Sequence, residues 1–331
     1  MIVCLYLEMS NFAKGKIYKR VGTGFVSSYK NYLKALSLNR VKVTTDPRAN
    51  YDILHINIPY LASLNYILKA KLKSKKVVIS SHATAEDFQG VLKISRLLYP
   101  LAVKYYKFAY DLADAIVSPS EYTKSLLIKY GVDKNKIFVV SNGVDLRKFK
   151  NKRKKINQKK KCLTIINVAN AIPRKGTYTF AKIGGLFPNC QCRWYGKIFK
   201  SALFPPLPKT IPSNVRFCGY APDIIAAYKE GDIFFFPSYE ENQGMVILEA
   251  AAMGLPIVIR DLPVYRGWLK NNINCLIGEN DRELKKQLQR LIKSPALRKK
   301  LSAGALKLAK ENDLKETGQL LKKIYTSLSK K

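Results

Sequence analysis

Two carboxylates stand in the stretch FPSYEENQGMVILEAAAMGLPIV, residues 236–258. Glu241 lies in a polar loop. Glu249 follows after seven intervening residues, inside a run otherwise made of Met, Val, Ile, Leu and Ala. Burying an unpaired carboxylate is costly, so Glu249 needs a partner with donors to offer. The hydroxyls of a ribose fit, and so does a neighbouring loop that the carboxylate caps. Glu241 stands just before Gly244, where the helix opens. The unpaired N–H groups of a first helical turn suit an anionic ligand group there. Three further places carry chemistry-bearing side chains. His82 closes the apolar run KVVISSH, at a strand end, whereas His55, inside DILHINI, reads as a core histidine. Arg174 and Lys175 in IPRKG form a basic turn that is either solvated or meets an anion. GTGFVS, from Gly22 to Ser27, half-matches a dinucleotide fingerprint, with Asp46 downstream. The glycines of that fingerprint follow a first strand directly, and here MSNFAKGKIYKR intervenes, so nicotinamide dinucleotide binding is rejected in favour of a loop.

These residues need elements to hold them. IVCLYLE, VKVTTD, DILHINI, KVVISSH, DAIVSPS and IFVVSNG read as short strands, with helical patterns such as GFVSSYKNYLKAL and PYLASLNYILKAKLK between several of them. This alternation predicts a parallel sheet covered on both faces. From Phe149 to Lys161 the sequence FKNKRKKINQKKK has neither an acid nor an apolar run and reads as a linker. A second series follows: CLTIINVA, CQCRWYG, NVRFCGY, DIFFFPS and PIVIRD, then amphipathic helices from Asp281 onward. The fold class expected is α/β, with two doubly wound Rossmann-like domains facing a central cleft. Their bounds are 1–148 and 162–331, joined by the basic linker 149–161, and the C-terminal helices are expected to close the second domain. Ligands of such sheets bind at the carboxyl ends of the strands, which hangs Glu241 over the cleft.

The totals narrow the function classes. With 59 Lys and Arg against 23 Asp and Glu, the net charge is +36, which attracts polyanions: nucleic acid, an anionic membrane face or phosphate-bearing ligands. A hydrophobic share of 47% supplies packed cores and excludes a disordered polyelectrolyte. No zinc finger, RNA-recognition motif or basic zipper is present, so no specific nucleic acid is expected. Six cysteines without C-x-x-C and only two histidines leave little for a zinc site, and the cysteines read as buried, reduced thiols. The start, MIVCLYLEMS, is too short and too interrupted for a signal peptide, and no run is long enough to span a membrane. The stretch LKISRLLYPLAVKYYKFAYDL mixes basic groups with Leu, Tyr and Phe. It reads as an interfacial helix, with Lys93, Arg96, Lys104 and Lys107 against anionic lipid and Leu97, Leu98, Tyr105 and Tyr106 inserted. The alternative is a core-facing helix with snorkelling lysines, and Pro100 marks a kink or a split.

The two glutamates, the FPSYE before them and the EAAAMGLPIV after them resemble the donor-site motif of retaining, family 4, GT-B-type glycosyltransferases. SNGVD at 141–145, IPRKG at 172–176 and VRFCGY at 215–220 extend the likeness over nearly the whole chain. YEENQG, RDLPVYRGWL, DILHINI and SSHATAEDF are similar to the bacterial enzymes that add glucose or galactose to diacylglycerol lipids. The resemblance implies a hexose moved from a nucleotide sugar, with UDP-glucose or UDP-galactose expected, to diacylglycerol or a glycosyl-diacylglycerol, with no obligatory metal or other cofactor. It implies a cytoplasmic, peripheral protein on the inner membrane face. Catalytic roles carry over to His82, Glu241 and Lys175. Donor contacts carry over to Gly22, Gly24, Arg174, Lys175, Tyr220, Asn242, Gln243, Gly244, Met245 and Glu249. In this scheme Glu241 meets the sugar, Glu249 the ribose, and Arg174 and Lys175 the diphosphate. One departure is Asn170, where the family often has an arginine. A family 4 enzyme with a soluble or polyprenyl-linked saccharide acceptor stays as the alternative.

Overall fold

The computed structural model describes residues 1–8, 24–88, 97–149, 162–199 and 206–330. Gly22, Lys93, Arg96 and all of the expected linker except Phe149 lie outside them. The chain divides into two compact units. Among the described residues, the first takes in those up to Gly143 and again from Asn312, and the second covers Val144 to Glu311.

The first unit is built on β1 (Ile2–Tyr6), β2 (Lys42–Thr44), β3 (Ile53–Ile56), β4 (Lys76–Ser80), β5 (Ala115–Ser118) and β6 (Ile137–Val139). They form one sheet in the order β2-β1-β3-β4-β5-β6, every pair parallel. Its helices are α1 (Gly24–Leu38), α2 (Leu61–Leu72), α3 (Tyr99–Asp111) and α4 (Glu121–Lys129). Side chains of a strand alternate between faces, so a sheet covered on both sides needs consecutive apolar residues. On β1, Cys4 and Tyr6 enter one core cluster while Val3 and Leu5 enter another. All six strands of this sheet fall where the sequence pattern puts them.

The second unit contains β7 (Thr164–Val168), β8 (Gln191–Tyr195), β9 (Val215–Gly219), β10 (Ile233–Phe236), β11 (Ile257–Arg260) and β12 (Leu276–Gly278). Their order is β12-β11-β10-β7-β8-β9, again all parallel. The three-residue β12 is the strand that the sequence reading missed. The helices are α5 (Thr177–Gly185), α6 (Ile224–Glu230), α7 (Met245–Ala252), α8 (Asp281–Lys293) and α9 (Pro295–Glu311). From β7 the chain runs outward through β8 and β9, then returns to the other side of β7 with β10. The strand order therefore reverses between β7 and β10, and the crevice outside their carboxyl ends is the place such sheets offer a ligand.

The last helix, α10 (Leu314–Ser329), corrects the expected domain bounds. It does not close the second unit but packs on α1 in the first. Leu321, Ile324, Tyr325 and Leu328 join the cluster of Val3, Leu5, Tyr32, Leu36 and Val78. Gly318 permits the approach, since a Cβ there would lie 2.2 Å from the carbonyl oxygen of Ala35. Tyr325 Oη lies 2.5 Å from His55 Nδ1, and His55 Nε2 lies 2.7 Å from Ser80 Oγ. His55 is thus the core histidine expected, and it ties β3 and β4 to α10.

Among the cysteines, Cys4, Cys190, Cys192 and Cys275 are buried thiols as expected, whereas Cys162 is exposed and Cys218 half-buried. No helix among the described residues is long and apolar enough to cross a membrane.

Candidate active site

The loops that leave β7 and β10, on either side of the strand-order reversal, are locked together. After β7 the chain makes a 3-10 turn, Pro173–Lys175, and enters α5 through Gly176. Gly176 has φ +86°, and a Cβ there would lie 2.3 Å from the carbonyl oxygen of Pro237, so only glycine allows the loops this close. The backbone N–H of Tyr239 donates to Arg174 O at 2.8 Å, and Arg174 Nη1 donates to Glu240 O at 2.9 Å. Across this seam Lys175 Nζ reaches Glu241 Oε1 at 2.5 Å, with side chains 17% and 8% exposed. The Ser238 hydroxyl donates to the same oxygen at 2.7 Å. The ammonium of Lys175 also lies over the Phe236 ring, 5.9 Å from its centroid. Of the two readings of the basic turn, solvated or meeting an anion, the structure shows Lys175 in a largely buried ion pair.

Beyond Glu241, Asn242 is half-buried, Gln243 and Met245 are buried, and Gly244 precedes α7 with φ +80°. The left-handed backbone at Gly244 turns the chain sharply into the helix. The first N–H groups of α7 then open at the same end of the sheet as Lys175 and Arg174. Four residues into α7, Glu249 is half-buried and accepts a hydrogen bond from Tyr228 Oη at 2.8 Å. Burial raises the Glu249 pKa, while the Tyr228 hydrogen bond and the charge of Lys148 oppose that rise. Of the two partners expected for this carboxylate, a protein group is thus present on one oxygen, and it comes from a helix rather than from a capped loop. Tyr220, past the end of β9, is exposed.

The structure adds residues to which the sequence reading gave no role in the site. Arg260, at the end of β11 and 7% exposed, places its guanidinium 4.2 Å over the Tyr239 ring. Its Nη2 donates to Asp281 Oδ1 at 3.0 Å. The Tyr239 hydroxyl lies 2.8 Å from Thr179 Oγ1 on α5. Burial pushes the Asp281 carboxyl up, but hydrogen bonds from Arg260 and Lys182 outweigh it and hold the pKa below the usual value. This clamp fixes the loop carrying Glu241 from behind. Its sequence signal is an arginine ending an otherwise apolar strand, PIVIR. Tyr228 gave no signal, since a tyrosine on an amphipathic helix reads as packing. Among the described residues no three His, Cys, Asp or Glu side chains converge as metal ligands.

His82 and Gly24 belong to the first unit. His82 follows β4, is half-buried, and has its ring 5.5 Å from that of Tyr32. Burial pushes its pKa down to about 3, so the imidazole is neutral near pH 7. Gly24 opens α1, and a Cβ there would meet nothing within 4 Å. The interfacial stretch needs correction. Its helix α3 starts at Tyr99 with Pro100 in the first turn, where proline is tolerated, so Pro100 does not kink α3. The split, the other reading, concerns residues 89–96, which lie outside the described ones. Tyr105 donates to Pro59 O at 2.8 Å and Tyr106 stacks on Tyr110, so neither tyrosine is turned outward as expected. The exposed apolar side chains are Leu97, Leu101 and Phe108. Lys104 is exposed, and Lys107 pairs with Asp111 one turn on.

Comparison with known proteins gives two family matches that together cover residues 8–308. Residues 8–148 match the model of Glycosyltransferase Family 4, and residues 148–308 match that of Glycosyl transferases group 1. The processive diacylglycerol alpha-glucosyltransferase of Acholeplasma laidlawii is 30% identical over 342 residues, covering 100% of this chain and 99% of that protein. The alpha-galactosylglucosyldiacylglycerol synthase of Streptococcus pneumoniae is 23% identical over 315 residues, covering 88% of this chain and 83% of that protein. Among solved structures, Anabaena Alr3699/HepE in complex with UDP and glucose superposes with a TM-score of 0.75 at 13% identity, covering 99% of this chain and 100% of that one. Sucrose-phosphate synthase from Thermosynechococcus elongatus gives a TM-score of 0.77 at 14% identity, with 99% of each chain covered. Both likenesses concern the fold, which is GT-B.

Proposed function

The chain belongs to the family 4 glycosyltransferases, and from that premise we propose that it moves a hexosyl group from a uridine diphosphate sugar to a glycerolipid held in a membrane surface. The observation that carries the donor half is the meeting of Lys175, Arg174 and Glu241 where the strand order reverses, beside the N-terminus of α7. Cationic side chains and free N–H groups there receive the diphosphate. The diphosphate leaves as the acceptor hydroxyl arrives on the same face of the sugar, so the anomeric configuration is retained. Charge grows on the leaving phosphate in that step, and fixed donors aimed at growing charge stabilise it most. The leaving phosphate also takes the proton of the acceptor hydroxyl. Glu241 turns from Lys175 toward the sugar hydroxyls once the diphosphate has engaged the lysine. Glu249 holds the ribose, and Tyr220 lies by the base. His82 offers a neutral imidazole to the sugar, able to donate or accept a hydrogen bond without bringing a charge.

The acceptor half rests on the relatives and on the surface of the first unit. The proteins named above from Acholeplasma and Streptococcus act on diacylglycerol lipids by their names. On α2, Leu61, Leu68 and Leu72 are exposed, and on or beside α3 so are Leu97, Leu101 and Phe108. Lys69, Lys71, Lys73 and Lys104 are exposed on the same two segments. Exposed leucines bordered by lysines suit an anionic bilayer face, and the proposed location is the cytoplasmic face of the cell membrane. The test is a transfer assay with radiolabelled UDP-glucose and UDP-galactose against vesicles carrying diacylglycerol, glucosyl-diacylglycerol or a diphospho-undecaprenol-linked saccharide. Label appears in a glycerolipid if the reading holds. Label confined to the polyprenyl-linked saccharide or to a soluble sugar overturns the acceptor class.

A further inference from the structure

We propose that Tyr228 is a positioning residue that makes Glu249 a reader of ribose hydroxyls, so that the site takes ribonucleotide donors and rejects those lacking the sugar diol. The proposal rests on the donor reading given above. Tyr228 is fully buried on α6, so its hydroxyl does not itself touch a ligand. Its position is set on every side. The Asp223 carboxylate accepts the N–H groups of Ile225 and Ala226 and fixes the start of α6. The Tyr228 ring packs 6.4 Å from that of Phe149 and 6.1 Å from that of Phe234. The hydroxyl at the end of this rigid mount donates to Glu249 Oε2 at 2.8 Å.

A phenylalanine would fill the same space. What the hydroxyl adds is a fixed rotation of the carboxylate and a partner for its charge. Among the described residues Oε1 of Glu249 takes no hydrogen bond. An ionised carboxylate has about four lone-pair sites, so one bond from Tyr228 leaves room for the two O–H groups of a vicinal diol. Such a pair of bonds needs the carboxylate plane held in place, because a rotation moves both acceptors at once. The groups that face Glu249 electrostatically are Tyr228 from α6 and Lys148 from the turn Leu146–Phe149, and both favour the anion against its burial.

The experiment is calorimetric titration of UDP and of 2′,3′-dideoxy-UDP into wild type, Tyr228→Phe, Glu249→Gln and the double variant. Wild type prefers UDP. Tyr228→Phe weakens UDP by about tenfold, the scale of one hydrogen bond to a charged group, and leaves dideoxy-UDP unchanged, so the preference collapses. On lowering the pH, the UDP affinity of Tyr228→Phe also falls earlier than that of wild type, because the carboxylate loses a donor that opposes the rise of its pKa on burial. In the double variant the two losses do not add, since both act through one carboxylate. Equal weakening of both nucleotides by Tyr228→Phe, or no weakening, overturns the proposal and leaves the donor reading intact. A wild type that binds UDP but does not prefer it over the dideoxy form overturns the ribose role of Glu249, and the role of Tyr228 with it. A wild type that binds neither nucleotide overturns the donor reading itself.

Discussion

An ammonium and a carboxylate 2.5 Å apart and mostly out of water, as in Lys175 and Glu241, hold each other in place at the cost of two desolvations. Removing one partner leaves the other buried without its counter-charge, and a diphosphate arriving at Lys175 then supplies the charge that was lost. The Glu241→Gln substitution is therefore expected to move two observables in opposite directions. The free protein loses about 3 kcal/mol, the low end for breaking a buried pair, because Lys175 keeps some contact with water. UDP restores part of that loss, so the rise in melting temperature on adding saturating UDP is larger in Glu241→Gln than in wild type. Sugar transfer falls at the same time, since the carboxylate that meets the sugar is gone. Thermal melts with and without UDP, beside a transfer assay, measure both effects. An equal UDP-induced rise in the two proteins means that Lys175 does not pass from carboxylate to phosphate. The two residues were legible in the sequence as separate motifs, 66 positions apart. Their contact was not, because it depends on Gly176 letting one loop lie against Pro237.

Strands show best in the sequence when their burial is continuous. Of the twelve strands among the described residues, eleven fall on runs the sequence shows, most plainly VVIS and IFFF, where every residue is covered, whereas β2, β6 and β9 are partly exposed. β12 has only three residues and is set by its neighbour β11 more than by its own pattern. For α10 the apolar stripe was visible, but a stripe states that a helix needs a partner without stating which sheet provides it. What decides the partner is polar: His55, buried in β3, accepts no fate but a hydrogen-bonded one, and Tyr325 meets it. This element-level pin has a pH consequence. Burial pushes the pKa of both His55 and His82 down to about 3. In the unfolded chain each histidine binds a proton near pH 6.5, whereas in the fold it does not, so the unfolded state holds more protons across that interval. The contribution that the two neutral histidines make to the stability of the first unit is thus full above pH 6.5 and is lost as the pH falls from there toward about 3. The limiting slope is about 1.4 kcal/mol per pH unit for each histidine. Urea unfolding followed by circular dichroism between pH 7 and pH 5 reads it, and His82→Gln removes one histidine's share of the slope. A His82→Gln slope identical to wild type shows that His82 ionises freely in the fold.

At the scale of the whole molecule, a net charge of +36 repels the protein from itself and draws it to any extended anionic surface. Charge alone, however, gives attraction that salt abolishes, since its range is about 10 Å at 0.1 M ionic strength. The exposed side chains of the first unit add a second component. Leu61, Leu68 and Leu72 recur at helical spacing along α2, and Leu101 and Phe108 stand two turns apart on α3. Side chains that enter the acyl boundary contribute through buried area, at about 25 cal/mol per Å², and salt does not weaken that contribution. Two classes of variant should then separate the two components on phosphatidylglycerol vesicles. Replacing Lys69, Lys71, Lys73 and Lys104 with Gln removes about 1 kcal/mol per residue at low salt and leaves the fraction that stays bound in high salt. Replacing Leu68, Leu72, Leu101 and Phe108 with Ser leaves the salt-dependent part and removes the fraction that resists salt. Neither set alters UDP affinity, because every substituted residue belongs to the first unit and the donor residues Lys175, Glu241 and Glu249 belong to the second. Both sets slow transfer to a vesicle-borne lipid more than transfer to a detergent-dispersed one. Sedimentation with vesicles across a salt series, with UDP titration as the control, decides the matter. Salt-resistant binding that survives the apolar replacements places the docking face elsewhere on the protein, and binding that vanishes entirely with salt in wild type reduces the association to charge.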